Sequence, residues 1–251
     1  MYDWPEVAWA TDALWRAVAE RVNAAGIAAP AALDRSHDAE AVWRDPGLVL
    51  SQTCGLPFAT RLRQAVQLVA TPIYSVAGCE GPLYSSVVIA RREEQGKALA
   101  DFAGRRAAFN ADDSLSGYVA LVAAMREEGV SREQFEWIKT GGHRESIRAV
   151  AEGRADLAAI DAICWALAAR FESVAAARLD VLGHTPFRPA LPFITAGGRT
   201  SAEVDIVRAA LTDALASAET KEAREALRLA DVAALSTADY APLGNLVRGG
   251  A

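Results

Sequence analysis

The strongest constraint on the fold is a regular alternation of short apolar runs and amphipathic segments between about residues 105 and 185. The runs RRAAFN, FEWIKT, DLAAID and LDVLGHT have the length and apolar content of buried strands. The segments between them, GYVALVAAMREEG, RESIRAVAEG and CWALAARF, have helical spacing, and the first two end at a glycine. This repetition predicts a parallel sheet with right-handed crossovers, and therefore an α/β fold.

The rest of the chain also mixes helical and strand-like segments. Helical patterns cover Pro5 to Gly26 and residues 38–44, 202–218 and 221–230, and they resume at residue 239. Strand-like runs are GLVLSQ, VQLVATP and SSVVIARR, and the Pro-rich run PFRPALPFITAGG is extended. Short strands spaced by helices favour an α/β fold over a helix bundle.

Two turn-rich segments, GCEGPLY and GHTPFRP, divide the chain into two predicted lobes. Lobe 1 is discontinuous and contains residues 1–82 and 185–251. Lobe 2, residues 83–184, is inserted into it. Each lobe is expected to be a mostly parallel sheet flanked by helices. In such a fold the ligand lies in a cleft between the lobes, outside the carboxyl ends of the strands.

Composition excludes several classes of partner. The 251 residues are 52% hydrophobic, which is enough to fill a sizeable core. The net charge is −6 and no Lys/Arg block is present, so nucleic acid is not an expected partner. No apolar run approaches the roughly 18 to 20 residues of a membrane span. The first residues lack the regions of a secretory signal, which predicts a cytoplasmic protein as written and a periplasmic one if the true start lies upstream.

The three cysteines, Cys54, Cys79 and Cys164, are not spaced as metal ligands, so no metal and no cofactor is predicted. Cys54 and Cys79 both lie in glycine-containing turns, where they either pair in an oxidising compartment or remain free; free thiols are favoured. An enzyme using Cys54 with His143 or His184 is one alternative function. Nothing around Cys54 resembles a nucleophile motif, so no catalytic residue is assigned.

The loop after RRAAFN gathers hydroxyls and a glycine where the next helix begins. A helix N-terminus has unpaired N–H groups and a partial positive charge, so it stabilises an anion without Lys or Arg. Ser114 and Ser116 add hydroxyl donors, and Gly117 would let an anion approach the backbone closely. The alternative is ordinary N-capping of the helix.

The next two strands are followed by similar loops. After FEWIKT, two glycines and His143 open a helix, and Asp161 ends DLAAID. Successive loops of a parallel sheet gather at one edge, so His143 is expected near the first loop as a donor to an oxyanion. Asp161 would face a ligand amine or hydroxyl. Both residues could instead be simple helix caps.

The segments FNADDSLSGYVAL and TGGHRESIRAVAEGRADLAAID resemble the PhnD-like phosphate/phosphonate-binding proteins, the substrate-binding components of ABC transporters with the type II periplasmic-binding-protein fold. The resemblance covers about residues 48–247 and is most specific from 105 to 165. In that family a Ser-Thr-Ser-Gly run and a later Gly-Ser-His segment hold the phosphonate oxygens. An Asp after the next strand and nearby tyrosines meet an amino group.

The resemblance implies which residues of this chain contact a ligand. Leu115 stands where the family has Thr, which removes one hydroxyl, and in SQTCGLPF Thr53 takes the place of an aromatic contact. The implied ligand is therefore defined by an oxyanion head group. The full implied set is Ser114, Leu115, Ser116, Gly117, His143, Asp161, Tyr84, Thr53 and Tyr2.

Tyr2 belongs to that set because proteins of this fold usually begin with a strand whose end lines the cleft. Here the chain reaches Tyr2 almost at once, so strand one is nearly absent or the start lies downstream of the real one. Tyr2 is either a cleft residue or an aromatic staple onto the first helix.

The expected function is capture of a small anionic ligand by hinge closure of a monomer, without chemistry, for an ABC transporter permease. An enzyme or sensor with the same fold is the alternative.

Overall fold

The computed structural model describes residues 1–248, and these divide into two compact units. Unit 1 contains Met1–Ser75, Glu80–Pro82 and Pro189–Asn245. Unit 2 contains Val76–Cys79, Leu83–Arg188 and the last described residues. Unit 1 is therefore discontinuous in sequence, and each unit has its own sheet and its own helices.

The elements alternate along the chain as expected for an α/β protein. In residues 1–248 the strands are β1 (Ser51–Gln52), β2 (Val66–Tyr74), β3 (Cys79–Glu80), β4 (Leu83–Tyr84), β5 (Ser86–Arg91), β6 (Arg106–Phe109), β7 (Glu136–Lys139), β8 (Leu157–Asp161), β9 (Leu179–His184), β10 (Arg188–Pro189), β11 (Phe193–Ala196) and β12 (Leu229–Ala233). The α-helices of the same residues are α1 (Ala8–Ala24), α2 (Ala39–Arg44), α3 (Gly55–Ala59), α4 (Ala120–Glu127), α5 (His143–Ala151), α6 (Ala162–Phe171), α7 (Ser173–Ala176), α8 (Ser201–Ala216), α9 (Lys221–Leu227), α10 (Thr237–Tyr240) and α11 (Leu243–Arg248).

Unit 1 is built on a sheet with the strand order β1-β11-β2-β12. Helix α1 packs against α8 and α9 and buries Leu14, Val18 and Val22 on one face. Burying each such side chain contributes about 1.5–3 kcal/mol of hydrophobic free energy. The phenol of Tyr240 is fully buried, and its oxygen bonds Thr71 Oγ1 at 2.8 Å and the Ala190 carbonyl at 2.7 Å. These contacts tie α10 to the unit 1 sheet.

The strand pairing in unit 1 corrects the prediction of a mostly parallel sheet in each lobe. β11 is antiparallel to both β1 and β2, and β12 is antiparallel to β2. β11 comes from the Pro-rich run that was predicted only to be extended. β12 begins inside the helix predicted over residues 221–230, because Arg228 adopts a left-handed φ of 57° and ends α9 at Leu227. β11 and β12 lie more than 100 residues after the strands they pair with in the sequence. The alternation of residues around them is too short to predict their direction.

Unit 2 contains the sheet β7-β6-β8-β5-β9, in which β6 is parallel to β7 and to β8. β5 runs antiparallel to β8 and to β9, so four of these five strands share one direction. The predicted mostly parallel sheet is confirmed for this unit. Leu121 and Met125 of α4 pack with Leu157 of β8 and Phe102 in its core. Because β7, β6 and β8 are parallel neighbours, their carboxyl ends lie side by side at one edge of the sheet.

The predicted helix over Pro5 to Gly26 is confirmed, with a 3-10 turn at Pro5–Val7 leading into α1 and Gly26 at a left-handed φ of 89°. The strand predicted over GLVLSQ is shorter than expected, because only Ser51–Gln52 of it pair with β11. The two-residue strands β3, β4 and β10 pair with one another in the order β10-β4-β3.

Candidate functional site

The loops that follow β6 and β7 are joined at the carboxyl edge of the unit 2 sheet. The amide and hydroxyl of Thr140 both donate to the Phe109 carbonyl, at 2.8 and 2.9 Å. The Gly141 amide donates to the Asn110 carbonyl at 3.1 Å. Gly141 has a φ of 86°, a left-handed conformation that favours glycine. The sheet hydrogen bonding thus continues past the strands and holds the two loops next to each other.

In the first loop, Ser114 caps the helix that follows. Its Oγ accepts a hydrogen bond from the Gly117 amide at 3.1 Å, as an N-cap side chain does. Leu115–Val119 then form one wide π-helical turn that continues into α4. Leu115 is 1% exposed, so its side chain packs inside unit 2.

Ser116 and His143 bring the two loops together. Ser116 Oγ lies 2.9 Å from His143 Nε2, at hydrogen-bond distance, and His143 is the first residue of α5. Burial lowers the pKa of His143 to about 4, and the Ala159 backbone, which favours the charged ring, offsets only part of this effect. The imidazole is therefore neutral near pH 7. A neutral ring has one donor and one acceptor nitrogen, so the tautomer sets the direction of this bond.

Asn110 lies at the same junction and was not predicted from the sequence. A Cβ added to Gly117 would lie 2.0 Å from Asn110 Oδ1 and 3.0 Å from His143 Cε1. The side of Gly117 that a side chain would occupy is thus filled by these two residues. Glycine is required here by protein packing, which differs from the predicted reason of close approach by an anion.

Asp161 ends β8 at the same sheet edge and caps α6. Its Oδ1 accepts from the amides of Ile163 and Cys164, at 2.8 and 3.4 Å, and the residue is 1% exposed. The capping role considered for this residue is therefore present. The charge of Asp161 also acts on Cys79: burial, and secondarily this carboxylate, raises the pKa of the Cys79 thiol to about 12. Cys79 stays protonated, and Cys54, Cys79 and Cys164 are thiols rather than disulfides.

Tyr84 also belongs to unit 2, whereas Thr53 and Tyr2 belong to unit 1. Tyr84 lies in β4 and is 2% exposed. Thr53 follows β1, is fully buried, and donates its amide to the Pro192 carbonyl at 3.1 Å. Tyr2 has a left-handed φ of 56°, and its ring packs edge-on against Tyr74 of β2 with 5.4 Å between centroids. The ring contact of Tyr2 is thus with a strand of unit 1.

Basic side chains beside the two loops are already paired with carboxylates. Lys139 bonds Asp112, Arg144 bonds Glu172, and Arg148 bonds both Glu172 and Glu145. These pairs leave little net positive charge on the groups concerned. An anion at this edge would therefore have to be held by the hydroxyls and the helix N-termini.

Unit 1 contains a cavity of about 570 Å³ that is separate from these residues. Its walls include Leu14, Trp15 and Val18 of α1 and the extended residues 48–52. Neither Thr53 nor Tyr2 lines this cavity, so it does not coincide with the predicted ligand contacts of unit 1. Within residues 1–248 no cluster of His, Cys, Asp or Glu has the arrangement needed to hold a metal ion.

The fold is that of the two-lobed periplasmic binding proteins. The binding-protein component of an ABC phosphonate transporter from Pseudomonas aeruginosa, PA3383, superimposes with a TM-score of 0.73 at 16% identity, over 94% of this chain and 80% of that one. XAC2383 from Xanthomonas citri bound to ATP gives 0.72 at 16% identity, over 95% and 91%. PhnD1 from Prochlorococcus marinus (MIT 9301) in complex with methylphosphonate gives 0.69 at 15%, over 83% and 80%. Identities this low show the fold alone.

The family itself is established by sequence. A sequence model described as "ABC transporter, phosphonate, periplasmic substrate-binding protein" matches residues 50–240, and the chain belongs to this family. A comparison with curated proteins finds no match. The family consists of periplasmic substrate-binding proteins, so the chain is a binding protein for a small ligand and not an enzyme. No helix of residues 1–248 is both long and apolar enough to cross a membrane.

Proposed function

We propose that unit 2 binds the oxyanion head of a small phosphate- or phosphonate-like solute, which the protein delivers to an ABC transporter permease. The observation that carries this proposal is the 2.9 Å contact between Ser116 Oγ and His143 Nε2, which joins two helix starts at one sheet edge. Two structural relatives support the ligand class, since PhnD1 holds methylphosphonate and XAC2383 holds ATP. Both ligands carry phosphorus oxyanions.

The physical basis is a set of donors without a formal positive charge. The first amides of a helix have no partner within the helix and carry the positive end of its dipole, which stabilises an anion. Ser114 and Ser116 are predominantly buried, so their hydroxyls would meet a ligand with little competition from water. Neutral His143 fits the same scheme as a hydrogen-bonding partner.

Other predicted contacts complete the proposal. Asp161 and Tyr84 would contact the remainder of the ligand, and an amine or hydroxyl would suit the carboxylate. Thr53 and Tyr2 remain predicted contacts, as does a position of the ligand in the cleft between the lobes. We further propose that the protein acts as a monomer in the periplasm.

The test is calorimetry with inorganic phosphate, methylphosphonate, methanesulfonate and acetate on the wild type, Ser116→Ala and His143→Ala. A hydrogen bond to a charged group contributes about 1.5–3 kcal/mol, so each variant should bind a phosphorus oxyanion roughly 10- to 100-fold more weakly. Ser131→Ala is the control, because Ser131 is an exposed serine before a 3-10 turn and is none of the predicted ligand contacts. Equal affinities in all four proteins would remove Ser116 and His143 from the site.

A further inference from the structure

The carboxamide of Asn110 occupies the space between the two loops of the proposed anion site. Asn110 follows the last residue of β6, and its carbonyl accepts the Gly141 amide of the second loop. Its side chain turns toward the first loop and meets Gly117. Asn110 therefore contacts both loops, one through its backbone and the other through its side chain.

The packing around this side chain is tight. A Cβ on Gly117 would lie 2.0 Å from Asn110 Oδ1 and 2.7 Å from its Cγ, distances that real Cβ contacts do not reach. The same point lies 3.0 Å from His143 Cε1, so the Asn110 oxygen and the His143 ring carbon are at most 5.0 Å apart. Gly117, Asn110 and His143 thus share one small volume, next to the Ser116 to His143 bond.

The Asn110 oxygen in this volume is buried and accepts no hydrogen bond from the described residues. A buried carbonyl without a donor is unfavourable, and such a group in a folded protein needs a reason to be there. Hydrogen bonding by Oδ1 does not supply that reason. The close approach of the carboxamide to Gly117 instead points to its size and shape.

We propose that Asn110 is a positioning residue: its carboxamide, wedged between Gly117 and His143, holds the His143 ring at hydrogen-bond distance from Ser116. This inference rests on the proposed function, because it explains how the two oxyanion-binding loops keep their separation. Removing the carboxamide opens a gap into which the imidazole can move, and this lengthens or breaks the contact with Ser116. Adding a methyl group at Gly117 pushes against the carboxamide and displaces the same ring.

The proposal predicts that the two substitutions compensate each other. Asn110→Ala should weaken methylphosphonate binding about tenfold, and Gly117→Ala should weaken it about a hundredfold. In the double variant the new methyl group takes part of the vacated space, so binding should be at least tenfold tighter than in Gly117→Ala alone. Gly183→Ala is the matched control, since a Cβ at Gly183 in β9 meets no atom within 4 Å.

A conservative variant separates shape from polarity. Asn110→Leu keeps the branched shape without the polar atoms, so it should bind methylphosphonate within about threefold of the wild type if the side chain acts by its size. Affinity as low as that of Asn110→Ala would overturn the proposal, since the polar atoms would then be what matters. Melting temperatures should change little between Asn110→Ala and the wild type, which distinguishes loss of positioning from loss of folding.

The two proposals can fail separately. If the wild type binds none of the oxyanions, the proposed function fails, but the packing inference is still tested by the melting temperatures of the four proteins. Gly117→Ala should lower the melting temperature, and adding Asn110→Ala should restore part of the loss. Strictly additive changes in melting temperature and in affinity would show that the two side chains do not compete for one space, and the positioning role would be rejected.

Discussion

His143 should make the protein less stable in mild acid. Its pKa falls from the ordinary 6.5 to about 4 because the ring is buried, so the unfolded chain binds a proton between these two pH values that the folded chain does not. The contribution of the neutral ring to the free energy of unfolding is fully present above pH 6.5 and is lost as the pH falls toward 4. Each tenfold difference in proton affinity is worth about 1.4 kcal/mol, so the loss reaches about 3 kcal/mol.

The assay is urea unfolding followed by circular dichroism at pH 7.5 and at pH 4.5, for the wild type and for His143→Gln. Glutamine does not titrate, so the difference between the two proteins removes the contributions of all other groups. Between these pH values the wild type should lose about 2–3 kcal/mol more than the variant. Direct NMR titration of the imidazole should give a midpoint near pH 4.

His37 provides a control of opposite sign. It is exposed, and its hydrogen bond to Asp34 raises its pKa, so its effect favours the folded state in acid and disappears as the pH rises. His37→Gln should therefore not reproduce the effect of His143→Gln. Parallel pH profiles for the wild type and His143→Gln, or an imidazole midpoint near 6.5, would refute the argument that burial keeps His143 neutral.

Two further predictions concern carboxylates of unit 2. Asp156 is buried and bridges Arg91 and Arg106, so Asp156→Ala should lower the free energy of unfolding in urea by about 2–3 kcal/mol. Asp112→Ala breaks an exposed ion pair and should lower it by less than about 1 kcal/mol. Equal losses in the two variants would contradict this reasoning. Asp161→Ala should lower the free energy of unfolding by about 1 kcal/mol or more, because α6 loses its N-cap. Asp161→Asn keeps a capping oxygen and should recover most of this loss. An asparagine variant as unstable as the alanine variant would argue against capping.

The sequence was sufficient to predict unit 2 because its elements are local. β6, β7 and β8 are each followed by a helix, and a parallel arrangement of these three strands then places the loop ends at one edge without further information. The contact between Ser116 and His143 agrees with that expectation. The signal for this contact in the sequence was the polar and glycine residues that follow the strands.

Unit 1 was harder to predict because its sheet depends on pairing over long distances in sequence. Ile194 of β11 pairs with Ser51 on one side and Leu68 on the other, and neither partner is marked by local pattern. Asn110 was missed for a related reason. Its position next to a strand is visible in the sequence, but its contact with Gly117 depends on the three-dimensional approach of two loops.

The tautomer of His143 links the protein's own hydrogen bonds to the charge of the ligand. Ser114 Oγ already accepts from the Gly117 amide, which leaves its hydroxyl proton to be donated. If His143 Nε2 carries the ring proton, the Ser116 oxygen accepts a hydrogen bond from the ring. The hydroxyl proton of Ser116 is then available to an anion, as that of Ser114 is. If Nδ1 carries the proton, Ser116 must donate to the ring and presents only lone pairs. A fully deprotonated oxyanion accepts hydrogen bonds and donates none, so the proposed binding of such an anion at Ser116 would select the Nε2–H form.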